Sequence, residues 1–230
     1  MKWLLWKDFR LNWLIIIMAL FIVVVPNLIA VTVTCYAKHD YHNYNGSADF
    51  SNTLFVSATS SLFLSSIVFA FMGGNAIACE RADRSAEFLA YLPISRGKII
   101  TSKLLVALLI GAFIWIVNFS IIGICYLAVP QNFMQKSSPP IGAVTGGFLI
   151  AGLTFFCVTW LFSCFMQSPA ISAGSGLFTT LLLTYAFAFI VHFFIVEENI
   201  TIFWPLGLAI TLSLASLVGG TWYYLRRVEP

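Results

Sequence analysis

The chain has 230 residues, of which 60% are hydrophobic and only 9% are charged, and its formal net charge is +3. A soluble domain of this size does not bury enough surface to tolerate so much hydrocarbon, so the composition predicts an integral membrane protein. The lysines and arginines lie beside the apolar runs, and no basic cluster suggests nucleic acid, so we expect no nucleic-acid partner.

The first twelve residues, MKWLLWKDFRLN, mix lysine and arginine with tryptophan and phenylalanine. Leu5, Trp6 and Phe9 share one face when the segment is projected as a helix. Such a segment before a long apolar run is typical of a helix that lies in the membrane interface. We predict an N-terminal interfacial elbow helix over residues 1–12.

Six long apolar runs follow, and each has the roughly 20 residues that a helix needs to cross a bilayer. Pro26 lies within the first run and predicts a kink there. A polar loop, residues 38–52, separates the first two runs, and no repeat or linker divides the chain. The sequence therefore predicts one all-α integral membrane domain, residues 1–230, with six transmembrane helices over residues 13–37, 53–78, 99–129, 141–166, 170–196 and 202–225.

Six crossings would place both termini on the same side of the membrane. Of the 12 lysine and arginine residues, all but Lys38 and Lys136 fall on that side. Because positive charge accumulates on the cytoplasmic side, we predict that both termini are cytoplasmic.

Residues 80–98, ERADRSAEFLAYLPISRGK, are the only long charged segment between these runs. A charged residue costs roughly 2.5–3.5 kcal/mol at the centre of a spanning helix, so this segment does not cross the bilayer. In a helical projection its charged side chains fall on one face, and leucine, alanine and serine fill the other. We predict a cytoplasmic helix between spans two and three that ends at Pro93, with Ser95 capping the next helix.

Phe88 and Tyr91 project onto the charged face of this helix. Aromatic residues among charges are typical anchors for a partner protein, although they could also fold back against the lipid headgroups. The pairs Glu80–Arg84 and Arg84–Glu87 could contact the partner or form ordinary salt bridges on the helix surface. The segment therefore predicts a binding site for a cytosolic partner.

The sequence contains no complete enzyme signature. Ser175 and His192 faintly resemble an intramembrane serine protease, but seventeen positions along one helix separate them by about 26 Å. The pair Glu197-Glu198 lacks the arginine that a membrane glutamate protease would require. The chain has neither HExxH nor a GxxxxGK[ST] phosphate-binding loop, so we predict that it is not an enzyme and that any ATP binds another subunit.

Metal and disulfide sites are likewise not predicted. His39, Asp40 and His42 could hold a metal, but scattered residues of this kind in a polar loop are typically solvated. The five cysteines include no CxxC pair and lie within or beside apolar runs, which favours free thiols. No charged residue lies mid-span, which favours a hydrophobic pathway over an ion-coupled carrier.

The charged segment and its flanks resemble the corresponding region of one known family. The sequence has Glu80-Arg81, then Glu87 and Leu89, then Leu92-Pro93-Ile94-Ser95-Arg96, and finally Lys103. With six apolar spans, an elbow helix and no ATP site, the chain resembles a permease subunit of the ABC-2 type exporters. One departure is Ser85-Ala86, where the family commonly has a glycine before the second acidic residue.

The resemblance implies that residues 80–98 are a coupling helix seated on a cytosolic ABC ATPase subunit. That subunit would carry ATP and Mg, this chain would bind no cofactor or metal, and a second permease copy would complete a homodimer or related heterodimer in the cell (inner) membrane of a prokaryote. The alternative is an integral-membrane scaffold or assembly protein that recruits a cytosolic partner without transport. The residues expected to contact the ATPase are Glu80, Arg81, Arg84, Glu87, Phe88, Leu89, Tyr91, Pro93 and Arg96.

Overall fold

A computed structural model describes residues 2–40, 46–82, 95–128, 141–194 and 203–227. These residues are almost entirely α-helical, because a helix satisfies every backbone hydrogen bond within its own segment and so tolerates a lipid environment. The described helices are α1 (Lys2–Leu11), α2 (Trp13–Asp40), α3 (Gly46–Ala82), α4 (Arg96–Ala128), α5 (Ile141–Phe165), α6 (Pro169–Phe194) and α7 (Phe203–Arg227).

Five stretches of the described helices are long and apolar enough to cross a membrane. The all-α, multi-pass class is therefore confirmed for the part of the chain that the structure describes. The fifth predicted span, residues 170–196, corresponds to α6, which has 26 residues but is not among the five stretches, so the predicted count of six spans is not confirmed. The five are Trp13–Tyr36, Thr53–Ala82, Arg96–Ile124, Gly146–Phe165 and Gly207–Arg226.

The helices extend further into the predicted polar segments than the sequence indicates. α2 continues to Asp40 and α3 begins at Gly46, so both enter the polar loop predicted over residues 38–52. At its other end α3 continues to Ala82, and α4 begins at Arg96 directly after Ser95, where a capping residue was predicted. The ends of the charged segment 80–98 thus belong to the two long helices, while residues 83–94 lie outside the described part of the chain.

The long helix α3 forms the centre of the bundle. It packs against α2, α4, α5 and α6, whereas α7 packs mainly against α5, and α1 packs against α4. The core between these helices includes Val68, Phe69 and Ile77 of α3 together with Ile114 of α4 and Trp160 of α5. Because α3 contacts four other helices, a displacement of α3 would change most of the helix–helix contacts in the bundle.

Small residues allow α3, α5 and α6 to approach closely. A Cβ atom added to Gly73 would overlap the Thr159 side chain, and one added to Gly74 would lie 2.7 Å from the Ala173 backbone nitrogen. Gly176 likewise faces Thr159, with the Thr159 Cα 2.8 Å from where a Cβ atom would stand. The segment around Ala173 and Gly176 therefore serves helix packing, as its small residues predict.

The helix α2 continues through Pro26 because α3 compensates for the missing donor. Proline has no N–H, so the Ile22 carbonyl lacks its usual partner four residues on. The Ser61 hydroxyl of α3 donates a hydrogen bond to that carbonyl at 3.0 Å. One turn away, Ser57 donates to the Asn27 side-chain oxygen at 2.8 Å. Two hydrogen bonds thus join α2 and α3 beside the proline.

Several helix ends meet at one end of the bundle, which we call the loop end because residues 83–94 connect there. Arg96 at the start of α4 donates to the Leu225 carbonyl near the end of α7 at 3.5 Å. The rings of Phe165 and Tyr223, near the ends of α5 and α7, lie 4.3 Å apart. The loop end therefore gathers α1, the end of α3, the start of α4, and the ends of α5 and α7.

Candidate functional site

Four charged residues from three helices meet at the loop end and form what we call the buried charge cluster: Lys7, Asp8, Glu80 and Lys103. The Glu80 Oε1 accepts a hydrogen bond from Lys7 Nζ at 2.6 Å and lies 3.0 Å from Lys103 Nζ. Lys103 Nζ also lies 3.6 Å from Asp8 Oδ1. The Ser102 hydroxyl donates to the other Asp8 oxygen. Two cations and two anions thus form one connected network.

The cluster is shielded from solvent. Asp8 and Glu80 are each 2% exposed, and Lys103 is 8% exposed. Removing a charge from water has a free-energy cost of several kcal/mol, which close oppositely charged partners offset. Each carboxylate contacts at least two donors or cations, so the network is electrostatically balanced only when all its members are present.

Two asparagines extend the network to the junction between α1 and α2. The Asn75 side chain of α3 donates to the Asn12 side-chain oxygen at 3.0 Å. Asn12 in turn donates to the Asp8 carbonyl at 2.8 Å. The helix α1, where an interfacial elbow helix was predicted, is therefore attached to the bundle by polar contacts as well as by the buried Leu4.

The cluster lies at the base of the segment between α3 and α4. Glu80 is in the last turn of α3, and Lys103 follows two turns after the start of α4. Lys7 and Asp8 come from α1. The cluster therefore joins α1 to both helices that flank residues 83–94.

The structure places the predicted site residues in different surroundings. Glu80, expected on the charged face of a surface helix, is instead buried in α3, because Lys7 and Lys103 neutralise its charge there. Arg81 is half-buried in the last turn of α3, and Arg96 is half-buried at the start of α4. The other predicted contacts, Arg84, Glu87, Phe88, Leu89, Tyr91 and Pro93, lie outside the described residues.

Sequence reasoning did not assign a role to Lys7, Asp8 or Ser102. The single acidic residue of the leader, Asp8, was the available signal, because a carboxylate on the inner face of an interfacial helix needs a cation. Lys103 lies one turn inside the predicted span over residues 99–129, where a charge likewise requires a partner.

The described residues contain no group of three or more histidine, cysteine, aspartate or glutamate residues close enough to hold a metal ion. The loop residues His39, Asp40 and His42 have side chains outside the described part. Among the described cysteines, Cys35, Cys157 and Cys164 are free thiols.

The pair Ser175 and His192 lies on one continuous helix, α6. Seventeen positions at 1.5 Å rise correspond to about 26 Å along the axis, which is far beyond hydrogen-bond reach. The Ser175 hydroxyl instead donates to the Ser172 carbonyl of its own helix at 3.1 Å. The two residues therefore do not form a nucleophile–base pair.

A bundle of apolar helices with five candidate spans and polar contacts gathered at one end defines a multi-pass α-helical membrane protein. A family model described as ABC-2 family transporter protein matches residues 3–218. The chain belongs to that family, and the resemblance read from the sequence is confirmed. A comparison with curated protein sequences finds no significant match.

Proposed function

We propose that this chain is the permease subunit of an ATP-driven exporter, moved by a separate cytosolic ATPase that grips the segment between α3 and α4. Membership of the ABC-2 family supports a transport role. The observation that carries the coupling proposal is the buried charge cluster, because it joins the two helices that flank the gripped segment to α1.

The buried charge cluster is suited to transmit force from residues 83–94 to the helices of the bundle. When the ATPase closes on ATP and displaces residues 83–94, the pull acts on the last turn of α3 and the first turn of α4. Separating these helices from α1 would leave charges buried without partners, which is strongly unfavourable. The three helices therefore move as one body, and α3 carries the displacement to α2, α5 and α6.

The direction of the helices supports six crossings. α5 and α7 both end at the loop end, and α6 begins there directly after α5. Since α7 must start at the opposite end, α6 has to cross the bundle between them. Six crossings put both termini beside the basic loop end, which we assign to the cytoplasmic side of a prokaryotic cell membrane.

The remaining parts of the assembly lie outside this chain. ATP and Mg would bind the ATPase subunit, and a second permease copy, identical or related, would form the translocation path with this one. The spans have many exposed apolar side chains, such as Leu108, Ile116 and Phe178. We propose a hydrophobic or amphipathic cargo that leaves the cell.

The coupling proposal is tested by purifying the tagged permease from native membranes and assaying the eluate for ATPase activity. We expect a stoichiometric ATPase with wild type, and its loss with Phe88→Ala combined with Tyr91→Ala, because aromatic anchors dominate such interfaces. Equal membrane insertion of both proteins is the control.

Two results would contradict the proposal at different points. Undiminished copurification of the double variant would refute the anchor assignment alone. A wild-type permease without any ATPase, in a detergent shown to preserve other complexes, would instead support a scaffold that recruits a different partner.

A further inference from the structure

A small cavity lies beside the buried charge cluster, where α3, α4 and α5 meet the junction between α1 and α2. Its volume is about 10 Å³, and two polar residues, Asn12 and Lys103, line it together with apolar side chains. The apolar part of the lining consists of Met72, Ala76, Val106, Ala107 and Phe156. The cavity thus lies between the charged network and the hydrophobic core.

Both polar lining residues have hydrogen-bond donors to spare. The Lys103 ammonium has three N–H donors, and its partners among the described residues are Glu80 Oε1 at 3.0 Å and Asp8 Oδ1 at 3.6 Å. The Asn12 amide has two N–H donors, and within the same part of the chain it donates to the Asp8 carbonyl. An occupant of the cavity therefore has to accept hydrogen bonds.

The size of the cavity and the charges around it limit what this occupant is. A site for one water molecule requires roughly 10–15 Å³, whereas a phosphate or a carboxylate group needs more space. The adjacent cluster contains two cations and two anions that pair with each other. An added ion would leave a buried charge without a partner, which is unfavourable, so a neutral occupant fits better.

We propose that one water molecule is bound in this cavity and accepts hydrogen bonds from Lys103 and Asn12. The second lone pair of the Asn12 side-chain oxygen, which already accepts from Asn75, is available to a hydrogen of the water. The water closes a ring that runs from Asp8 through Asn12 and the water to Lys103 and back to Asp8. It links the α1–α2 junction to α4, and it does not depend on the proposed transport function.

The first test uses the purified full-length chain in lipid nanodiscs without any ATPase. A short X-ray pulse splits water into hydroxyl radicals, which oxidise the side chains beside a bound water even where these are buried. Met72 lines the cavity and is 4% exposed, so we expect its oxidation to be detected by mass spectrometry. Cys164 is 0% exposed, is not part of the lining and should remain unmodified although a thiol is readily oxidised.

The second test fills the cavity by one methylene group. Val106→Ile should displace the water and leave the Lys103 and Asn12 donors without an acceptor. The oxidation of Met72 should then be lost, and the unfolding temperature should fall by about 2–4 °C. The matched control is Val218→Ile, because Val218 is 65% exposed and its extra methylene would leave both measurements unchanged.

Three outcomes would overturn the proposal. If Met72 of the wild type is oxidised no faster than Cys164, the cavity binds no water. If the oxidation persists in a folded Val106→Ile variant, the radicals reach Met72 by another route. A higher unfolding temperature for that variant would indicate a dry cavity, in which added hydrocarbon is favourable. If Val106→Ile does not fold, the comparison of Met72 with Cys164 in the wild type still decides.

Discussion

The Glu80 carboxylate of α3 links three helices, because it pairs with cations of both α1 and α4. It is 2% exposed and pairs with Lys7 of α1 and Lys103 of α4 through the same oxygen. Replacing it by a neutral residue would leave two ammonium groups close together with Asp8 as the remaining acidic partner in the cluster. Most of the free-energy cost of such a change comes from the buried charges that are left without a partner, and less comes from the lost attraction.

Glu80→Gln should therefore lower the free energy of unfolding by about 3–5 kcal/mol. The double variant Glu80→Gln with Lys103→Met should recover part of that loss, because it removes one cation and restores charge balance. Unfolding curves of the purified protein in denaturing detergent measure both changes, and the coupling follows from a double-mutant cycle.

Arg10→Gln is the matched control, since Arg10 lies on α1 but is exposed. It should change stability by less than about 0.5 kcal/mol. If Glu80→Gln were equally mild, the cluster would contribute nothing to holding α1 against α3 and α4.

The cluster marks the limit of what the sequence predicts for single residues. The charged segment and Lys103 are visible as departures from hydrocarbon, and each needs a partner. The partner of Glu80, however, is Lys7, which is 73 positions away. Local patterns carry no information on contacts of that separation, so the sequence predicted Glu80 to be on a surface where the structure buries it.

At the scale of the helices, α3 supplies a hydrogen-bond donor that a proline removes from α2. Pro26 removes one donor from α2, and Ser61 of α3 supplies a hydroxyl to the Ile22 carbonyl. Inside a membrane span, no water is present to donate a hydrogen bond to an unpaired carbonyl. Ser61→Ala should therefore lower the free energy of unfolding by about 1–3 kcal/mol.

Two further variants make this prediction specific. Ser60 is adjacent but exposed, and within the described residues its hydroxyl donates only to the Val56 carbonyl of its own helix at 2.8 Å, so Ser60→Ala should be nearly neutral. Pro26→Ala returns a backbone N–H to Ile22, so Ser61→Ala should cost much less in that background. Equal costs in both backgrounds would show that Ser61 acts on something other than the Ile22 carbonyl.

Long, strongly apolar elements were the most predictable part of this chain, because continuous hydrocarbon admits only helices in a bilayer. Their ends were less predictable. α2 and α3 extend into the polar segment before and after residues 41–45. Polar residues beyond the hydrocarbon can continue a helix as readily as end it, and nothing in a single sequence decides between the two.

For the whole molecule, the loop end collects the cluster, Arg81 and Arg96, and the ends of α5 and α7, whereas Gly46 begins α3 at the opposite end. If the loop end faces the cytoplasm, the two ends differ in access from outside the cell. A Gly46→Cys variant in a background without the native cysteines should react with a membrane-impermeant maleimide on intact cells.

The matched variant is Gly97→Cys at the loop end, where a side chain would meet no atom of the described residues within 4 Å. It should react only after lysis, because the positive-inside rule places its basic surroundings in the cytoplasm. The reverse pattern would invert the orientation. Reaction of both variants on intact cells would mean that these two ends of α3 and α4 face the same side, which would remove the coupling segment from the reach of any cytosolic ATPase.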